Sequence, residues 1–127
     1  MSTAGRMQIG EVAERIGLSL RTIRYYEEVG LAVPSARSEG GFRLYVEDDV
    51  ERLRVIMQMK PLGFSLEEMR ELLELLDAGP DADPARLTAF RAQAAERVAT
   101  LRRQLRTAEE FAARLAEGPR GAAQPTR

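Results

Sequence analysis

The sequence predicts a mainly α-helical fold in which a winged helix-turn-helix domain is followed by a long coiled-coil helix. Three observations support it: two short amphipathic segments joined by a Gly-containing turn, a Gly-Gly hairpin, and a long Ala- and Arg-rich stretch with a heptad pattern. The predicted organisation is a flexible N-terminus at 1–6, the winged helix-turn-helix domain at 7–79, the coiled-coil helix at 83–117 and a disordered tail at 118–127.

Composition excludes most enzyme and metal chemistry. The chain has no Cys and no His, which removes disulfides, thiolate and imidazole metal ligands, and any obvious nucleophile-base pair. We therefore predict no catalytic residues, no metal and no cofactor. Carboxylates alone could hold Mg²⁺ or Ca²⁺, but the helically spaced acids Glu67, Glu68, Glu71 and Glu74 are more typical of a solvated helix face. No apolar run is long enough to cross a membrane, and the N-terminus lacks a secretory signal, so we expect a cytoplasmic protein without a membrane partner.

Charge is unevenly distributed along the chain. Residues 1–45 carry six Arg against five acids, residues 46–79 four bases against nine acids, and residues 80–127 nine Arg against six acids. The formal net charge of −1 gives no general attraction to nucleic acid. Binding to DNA would therefore require individually positioned cations, with the acidic surface facing away.

The first two predicted helices form a helix-turn-helix. Apolar residues recur at helical spacing from Ile9 to Ile16, and Gly17 follows as a stop signal. Ser19 is a good N-cap for a second helix that runs to about Val29, where Gly30 ends it. Short helices joined by a tight turn are typical of this motif, although many helical hairpins look similar.

The second helix has one face suited to DNA. Arg21, Arg24, Tyr25 and Glu28 share that face, whereas Leu20, Ile23 and part of Tyr26 face inward. A guanidinium can donate two hydrogen bonds to a guanine edge or a phosphate, and a Tyr hydroxyl can donate to a phosphate. The alternative is an ordinary solvated face in which Arg24 pairs with Glu28.

The segment from Ala36 to Val46 predicts a strand-turn-strand wing with Glu39-Gly40-Gly41 in the turn. Because side chains alternate along a strand, we expect Arg43 and Tyr45 to project together. The apolar side, made of Phe42, Leu44 and Val46, is then expected to close over the helices. A purely structural hairpin is the alternative.

Two further helices complete the predicted head. Asp48 or Asp49 can cap a helix that runs to about Lys60, and Ser65-Leu66-Glu67-Glu68 predicts a capping box for a fourth helix ending near Ala78. Lys60 lies in the loop between them, where it could reach a phosphate. It could equally be a solvated cation at a helix C-terminus.

The chain then predicts a dimerisation helix from Pro84 to about Glu117. At about 1.5 Å per residue it would be roughly 50 Å long, too long to bury against so small a head. The same helix of a second subunit is the simplest partner, and a monomeric helical hairpin is the weaker alternative. Arg91 interrupts the predicted seam, whose apolar residues are Leu87, Ala94, Val98, Leu101, Leu105, Ala108, Ala112 and Leu115.

Five motifs in order resemble the DNA-binding head of the MerR family of bacterial transcription regulators over roughly residues 7–78. They are Ile9-Gly10-Glu11-Val12-Ala13, Arg21-Thr22-Ile23-Arg24-Tyr25-Tyr26-Glu27, Gly30-Leu31, Gly41-Phe42-Arg43-Leu44-Tyr45 and Leu62-Gly63-Phe64-Ser65-Leu66-Glu67-Glu68. The helix that follows is similar to the family's dimerisation helix.

The resemblance implies a homodimer joined by an antiparallel coiled coil and bound to double-stranded promoter DNA. It implies that the second helix of the motif is a recognition helix that lies in the major groove, and that the β-hairpin is a first wing that also contacts DNA. Lys60 lies where a second wing of the family approaches the DNA backbone. The implied DNA-binding residues are Arg21, Thr22, Arg24, Tyr25, Arg43, Tyr45 and Lys60. Family members bind a pseudo-palindrome in a promoter with an overlong spacer and distort it, so that RNA polymerase, a further implied partner, can engage both promoter elements.

The chain departs from the family pattern beyond the long helix. The sequence contains none of the Cys ligands of metal- and redox-sensing members, and we expect it to lack the ligand domain of drug-sensing members. We therefore expect a regulator that is effector-independent or that responds to an unidentified non-metal effector or protein partner. An apolar effector could lie where the helix meets the head, although the residues there are more typical of plain core: Met69, Leu72, Leu73, Leu76 and Phe90.

Two other functions fit parts of the sequence. An architectural DNA bender would show low sequence discrimination and a steep salt dependence. A coiled-coil adaptor that has lost DNA binding would suit the acidic net charge. Replacing Arg24 and Arg43 with Ala distinguishes them, because a regulator loses operator binding but stays dimeric, whereas an adaptor keeps its partner.

Overall fold

The computed structural model describes residues 5–119, and the chain divides into two units between Ala82 and Asp83. The first unit contains β1 (Arg6–Met7), α1 (Ile9–Ile16), α2 (Leu20–Glu28), β2 (Ala36–Arg37), β3 (Arg43–Val46), α3 (Glu47–Met59) and α4 (Leu66–Ala78). Short 3₁₀ turns at Lys60–Leu62 and Gly79–Asp81 follow α3 and α4. The second unit contains α5 (Pro84–Ala116). The mainly helical fold with a β-wing and a long last helix is confirmed.

Local signals in the sequence set the two helices of the helix-turn-helix. Gly17 closes α1 with φ of 78°, a left-handed conformation that suits glycine, and its amide donates to the carbonyl of Ala13. Ser19 then caps α2 by accepting a hydrogen bond from the Thr22 amide at 3.0 Å. These two residues bring α1 and α2 into the predicted helix-turn-helix.

The sheet has three antiparallel strands in the order β1-β3-β2. Arg6 pairs with Val46 and Met7 with Tyr45, so Arg6 is not part of a flexible N-terminus. The remainder of that predicted segment up to residue 4, and residues 120–127 of the predicted tail, lie outside the described residues. Residues 118 and 119 are described and are helical, so the prediction that a disordered tail begins at 118 is wrong for these two residues, although α5 itself ends at Ala116.

A buried carboxylate joins the base of the wing to α3. Asp49 accepts hydrogen bonds from the Ser35 amide at 3.1 Å, the Ser35 hydroxyl at 2.6 Å and the Val46 amide at 2.8 Å. The helix begins at Glu47, so Asp49 lies in its first turn and bonds back to the residue before the helix. Neither Asp48 nor Asp49 is the N-cap itself, which corrects that expectation.

The core of the first unit lies among α1, α2, α3 and α4, where Val12, Ile23, Leu53 and Ile56 are fully buried and Leu73 nearly so. Two Arg side chains tie α2 to the later helices. Arg52 donates from Nε to the Leu31 carbonyl at 2.6 Å, and Arg70 donates to the Val29 carbonyl at 2.8 Å. Val29 is the C-cap of α2, whose carbonyl lacks a partner within the helix, and Leu31 lies two residues beyond it. These bonds therefore fix the end of α2 and the chain just after it against the core.

Candidate nucleic-acid interface

Helix α2, which the resemblance implies is the recognition helix, presents a polar face to solvent. Arg21, Arg24 and Glu28 are exposed, and Tyr25 is partly exposed with its ring 5.6 Å from that of Tyr26. Ile23 and Tyr26 are buried on the opposite side, which anchors the helix. The predicted amphipathic division holds for Ile23 and Tyr26, but the expectation that Leu20 faces inward is wrong, because Leu20 is 39% exposed at the first turn of the helix. Glu27 is a second exception, since its side chain is largely covered.

Five of the predicted DNA-contacting residues come together on one surface. They line an open depression of about 670 Å³ that also includes Tyr26 and Glu28: Arg21, Thr22, Arg24, Tyr25 and Lys60. Lys60 begins the 3₁₀ turn that follows α3 and is exposed. Three cations thus surround a single acid, Glu28, in this depression.

Thr22 is held by the cap of the recognition helix. The Ser19 hydroxyl donates to the Thr22 hydroxyl at 2.9 Å and accepts from the Thr22 amide. The Thr22 hydroxyl is therefore oriented before any ligand arrives, which lowers the entropy cost of a contact with phosphate.

The wing places Arg43 next to the recognition helix. Arg43 forms an ion pair with Glu27, and the side chains are 50% and 16% exposed, respectively. Both residues line a cleft of about 230 Å³ together with Gln8, Ile9, Arg24, Phe42 and Tyr45. Arg24 lines this cleft and the larger depression, so it joins the wing and the helix face into one surface.

The expectation that Tyr45 projects beside Arg43 is wrong, because Tyr45 is only 1% exposed. Strand β3 lies between β1 and β2 and contacts both α1 and α3, so neighbouring elements cover Leu44 and Tyr45 alike. Burial raises the pKa of the Tyr45 phenol above its ordinary value. Its hydroxyl has no hydrogen-bond partner among the described residues.

Phe42 takes the exposed position instead. The sequence placed it on the apolar side that covers the helices, but its side chain is 69% exposed at the tip of the wing. Its ring lies over Gly40, where an added Cβ would stand 3.3 Å from the ring. The alternation argument failed here because β2 contains only two residues and does not extend to the tip.

Sequence reasoning also missed Glu27 as a member of the surface. Glu27 follows Ile23 by four residues, which places it beside the inward-facing stripe of α2. A charged residue at such a position is rarely buried without an opposite charge. That placement was the available signal for its pairing with Arg43.

Within residues 5–119, no group of three or more acidic side chains is arranged to hold a metal ion. Among those residues, no helix combines the length and apolar character needed to cross a membrane. The depression itself offers cations and hydroxyls, groups that bind phosphates and base edges.

The fold and this cation-lined helix define a winged helix-turn-helix protein. The family model described as MerR HTH family regulatory protein matches residues 7–76, and a second model, described as MerR, DNA binding, matches residues 50–117. The chain belongs to the MerR family.

Comparison with individual proteins gives the same family. The chain is 52% identical over 69 residues to the HTH-type transcriptional regulator YfmP of Bacillus subtilis, covering 54% of this chain and 49% of YfmP. It is 38% identical over 106 residues to heavy metal-dependent transcription regulator 2 of Rhizobium meliloti, covering 83% of this chain and 69% of the relative. Its fold is similar to that of HiNmlR, a MerR family regulator lacking the sensor domain and solved bound to promoter DNA. That similarity has a TM-score of 0.70 and 29% identity, and covers 88% of this chain and 91% of HiNmlR.

Proposed function

We propose that the protein is a sequence-specific DNA-binding transcription regulator of the MerR type that acts as a homodimer. In this proposal it binds a pseudo-palindromic promoter site and distorts the DNA so that RNA polymerase can engage both promoter elements. It is a binding protein and not an enzyme, and it works in the cytoplasm, where promoter DNA is found. The observation that carries the proposal is the convergence of Arg21, Arg24, Tyr25 and Lys60 on one exposed depression.

The geometry of α2 supports insertion into the major groove. An α-helix with its side chains is about 10–12 Å across and therefore fits the major groove, which is about 12 Å wide. The nine residues of α2 would extend about 13 Å within the groove. The side chains on its free face can donate hydrogen bonds to base edges and phosphates. Arg24 shares the cleft with Arg43 and the depression with Lys60, so both cations lie near this face. The promoter-bound state of HiNmlR is consistent with this use of the fold.

Exposed apolar residues along α5 support the homodimer. Val98, Leu101, Leu105 and Leu115 are 46%, 47%, 58% and 62% exposed in the single chain. Four large apolar side chains at heptad spacing on a 33-residue helix are costly in water, and a second α5 would cover them.

The test uses purified full-length protein and random DNA. Repeated selection of bound fragments should enrich a palindrome with two half-sites, and Arg24→Ala should lower affinity for it at least tenfold while the dimer persists. Genome mapping should then place the palindrome within an overlong promoter spacer. If no sequence is enriched, or Arg24→Ala binds as wild type, the proposal is wrong.

A further inference from the structure

We infer that Glu27 is the positioning residue of the wing: its carboxylate holds the Arg43 guanidinium against the recognition helix and thereby sets the specificity of DNA binding. This inference rests on the proposed function. It assigns a role to an acid on a surface that must approach a polyanion, where a carboxylate is otherwise unfavourable.

The position of Glu27 is the first part of the argument. It lies near the end of α2 beside the inward-facing stripe, and only 16% of its side chain is exposed. Taking a carboxylate out of water is unfavourable unless a partner compensates. Arg43 on β3 is that partner, and Arg24 lines the same cleft.

The construction of the wing makes this ion pair important. Within the described residues, the other hydrogen bonds of the turn stay inside the hairpin. Ser38 donates to the Phe42 carbonyl at 2.8 Å, Gly41 to the Ser38 carbonyl at 2.9 Å, and Arg37 to the Gly41 carbonyl at 3.0 Å. Strand β2 contributes only two residues, so a two-stranded tip of this kind has little stability of its own. The Glu27–Arg43 pair links that tip directly to the helix that enters the groove.

Two roles for Glu27 predict opposite effects. If the carboxylate contributes only negative charge, removing it strengthens binding to every DNA sequence, because repulsion of phosphates falls. If it positions Arg43, removing it frees the wing. The DNA contacts that require the wing to stay at a fixed position relative to the recognition helix are then lost. Operator binding then weakens while binding to unrelated DNA does not.

The experiment compares Glu27→Gln with wild type in the full chain at fixed salt. The probes are an operator fragment selected by the wild-type protein and a scrambled fragment of equal length and composition. We expect operator affinity to fall about tenfold, equivalent to about 1.4 kcal/mol, while affinity for scrambled DNA stays equal or rises. The ratio of the two affinities should fall at least tenfold.

Glu14→Gln is the matched control. Glu14 lies on α1, is exposed, lines neither the depression nor the cleft, and makes no ion pair within the described residues. Its replacement changes the net charge equally, and both affinities should change together with their ratio preserved. If Glu27→Gln behaves like Glu14→Gln, the positioning role is overturned.

Two more measurements complete the test. In an Arg43→Ala background, Glu27→Gln should no longer lower the affinity ratio, because its partner is already gone. Glu27→Asp, which keeps the charge but shortens the side chain, should lower the ratio in the otherwise wild-type chain. An undiminished effect of Glu27→Gln in the Arg43→Ala background would contradict the inference, and so would a Glu27→Asp ratio equal to wild type.

Hydrogen exchange of the free protein separates this inference from the proposed function. The amides of Ser38, Gly41 and Phe42 should exchange faster in Glu27→Gln than in wild type or Glu14→Gln. Unchanged exchange overturns the positioning role whatever happens with DNA. If wild type selects no DNA sequence, the proposed function fails, and the exchange rates still decide whether Glu27 holds the wing.

Discussion

At the scale of single residues, Tyr45 shows how the wing is built into the core. Its phenol is buried and its hydroxyl lacks a hydrogen-bond partner among the described residues. A buried, unpaired hydroxyl is unfavourable, so Tyr45→Phe should leave the free energy of unfolding equal or raise it by up to about 1 kcal/mol. Urea denaturation measures this change. Operator affinity should stay within about twofold of wild type, and a larger loss would place the hydroxyl in contact with DNA.

Asp49 should be the most sensitive carboxylate of the head. It is buried and accepts three hydrogen bonds from Ser35 and Val46. Asp49→Ala leaves these donors without their acceptor and should lower the free energy of unfolding by about 3 kcal/mol. The control is Asp48→Ala, an exposed neighbour in the same helical turn, which should cost about 1 kcal/mol or less. Equal losses in urea denaturation would contradict the role of Asp49.

The Arg15–Glu47 ion pair makes the stability of the fold depend on pH, and the direction of that dependence follows from the pKa of Glu47. The hydrogen bond from Arg15 lowers the pKa of Glu47 below its ordinary value of 4.5. Its contribution to stability is therefore present above about pH 4.5 and is lost as the pH falls through the lowered folded-state pKa. Glu47→Gln should lose less stability than wild type on acidification in this range.

Urea denaturation at a series of pH values measures this difference. Glu14→Gln is the control, because Glu14 is exposed on α1 and makes no ion pair within the described residues. An acid-induced loss in Glu47→Gln as large as in wild type would contradict the assignment.

At the scale of elements, the sequence predicted those whose ends carry a local signal. Ser19 and Ser65 cap α2 and α4 by accepting amide hydrogen bonds, and Gly17 and Gly63 adopt the positive φ that ends a helical turn. These features depend on a few neighbouring residues, so they can be recognised without the fold.

The missed elements depend on distant residues. Strand β1 has two residues and exists because they pair with Val46 and Tyr45. The burial of Tyr45 and the pairing of Glu27 with Arg43 likewise follow from how β3 lies among other elements. Alternation along a strand predicts which side chains share a face of the strand, but it does not predict which faces are covered by other elements.

Helix α5 allows the proposed dimer interface to be tested. Leu101 lies in the proposed seam and is 47% exposed in the single chain. Leu101→Glu would place a charge in that seam and so oppose pairing of the two α5 helices. Sedimentation equilibrium should then show a single subunit. Ala99→Glu adds the same charge two residues earlier, outside the seam, and should remain dimeric. A dimeric Leu101→Glu protein would contradict the proposed interface.

At the scale of the whole molecule, charge is sorted by location. The formal net charge is −1, yet Arg21, Arg24 and Lys60 surround one depression, while residues 46–79 carry nine of the chain's twenty acids. Long-range attraction to DNA is therefore weak, and affinity must come from short-range contacts made by positioned cations. The salt dependence of binding should accordingly report individual contacts.

Lys60, the only lysine in the chain, allows the contribution of one such contact to the salt dependence to be measured. Each phosphate contact contributes about 0.9 to the slope of log affinity against log salt concentration. Since a homodimer presents two copies, Lys60→Gln should reduce the slope by about 1.8, and Lys60→Arg should preserve it. Anisotropy titrations of operator DNA at several salt concentrations measure the slope. An unchanged slope in Lys60→Gln would mean that Lys60 is a solvated cation at the end of α3, and the depression would then contact DNA through α2 alone.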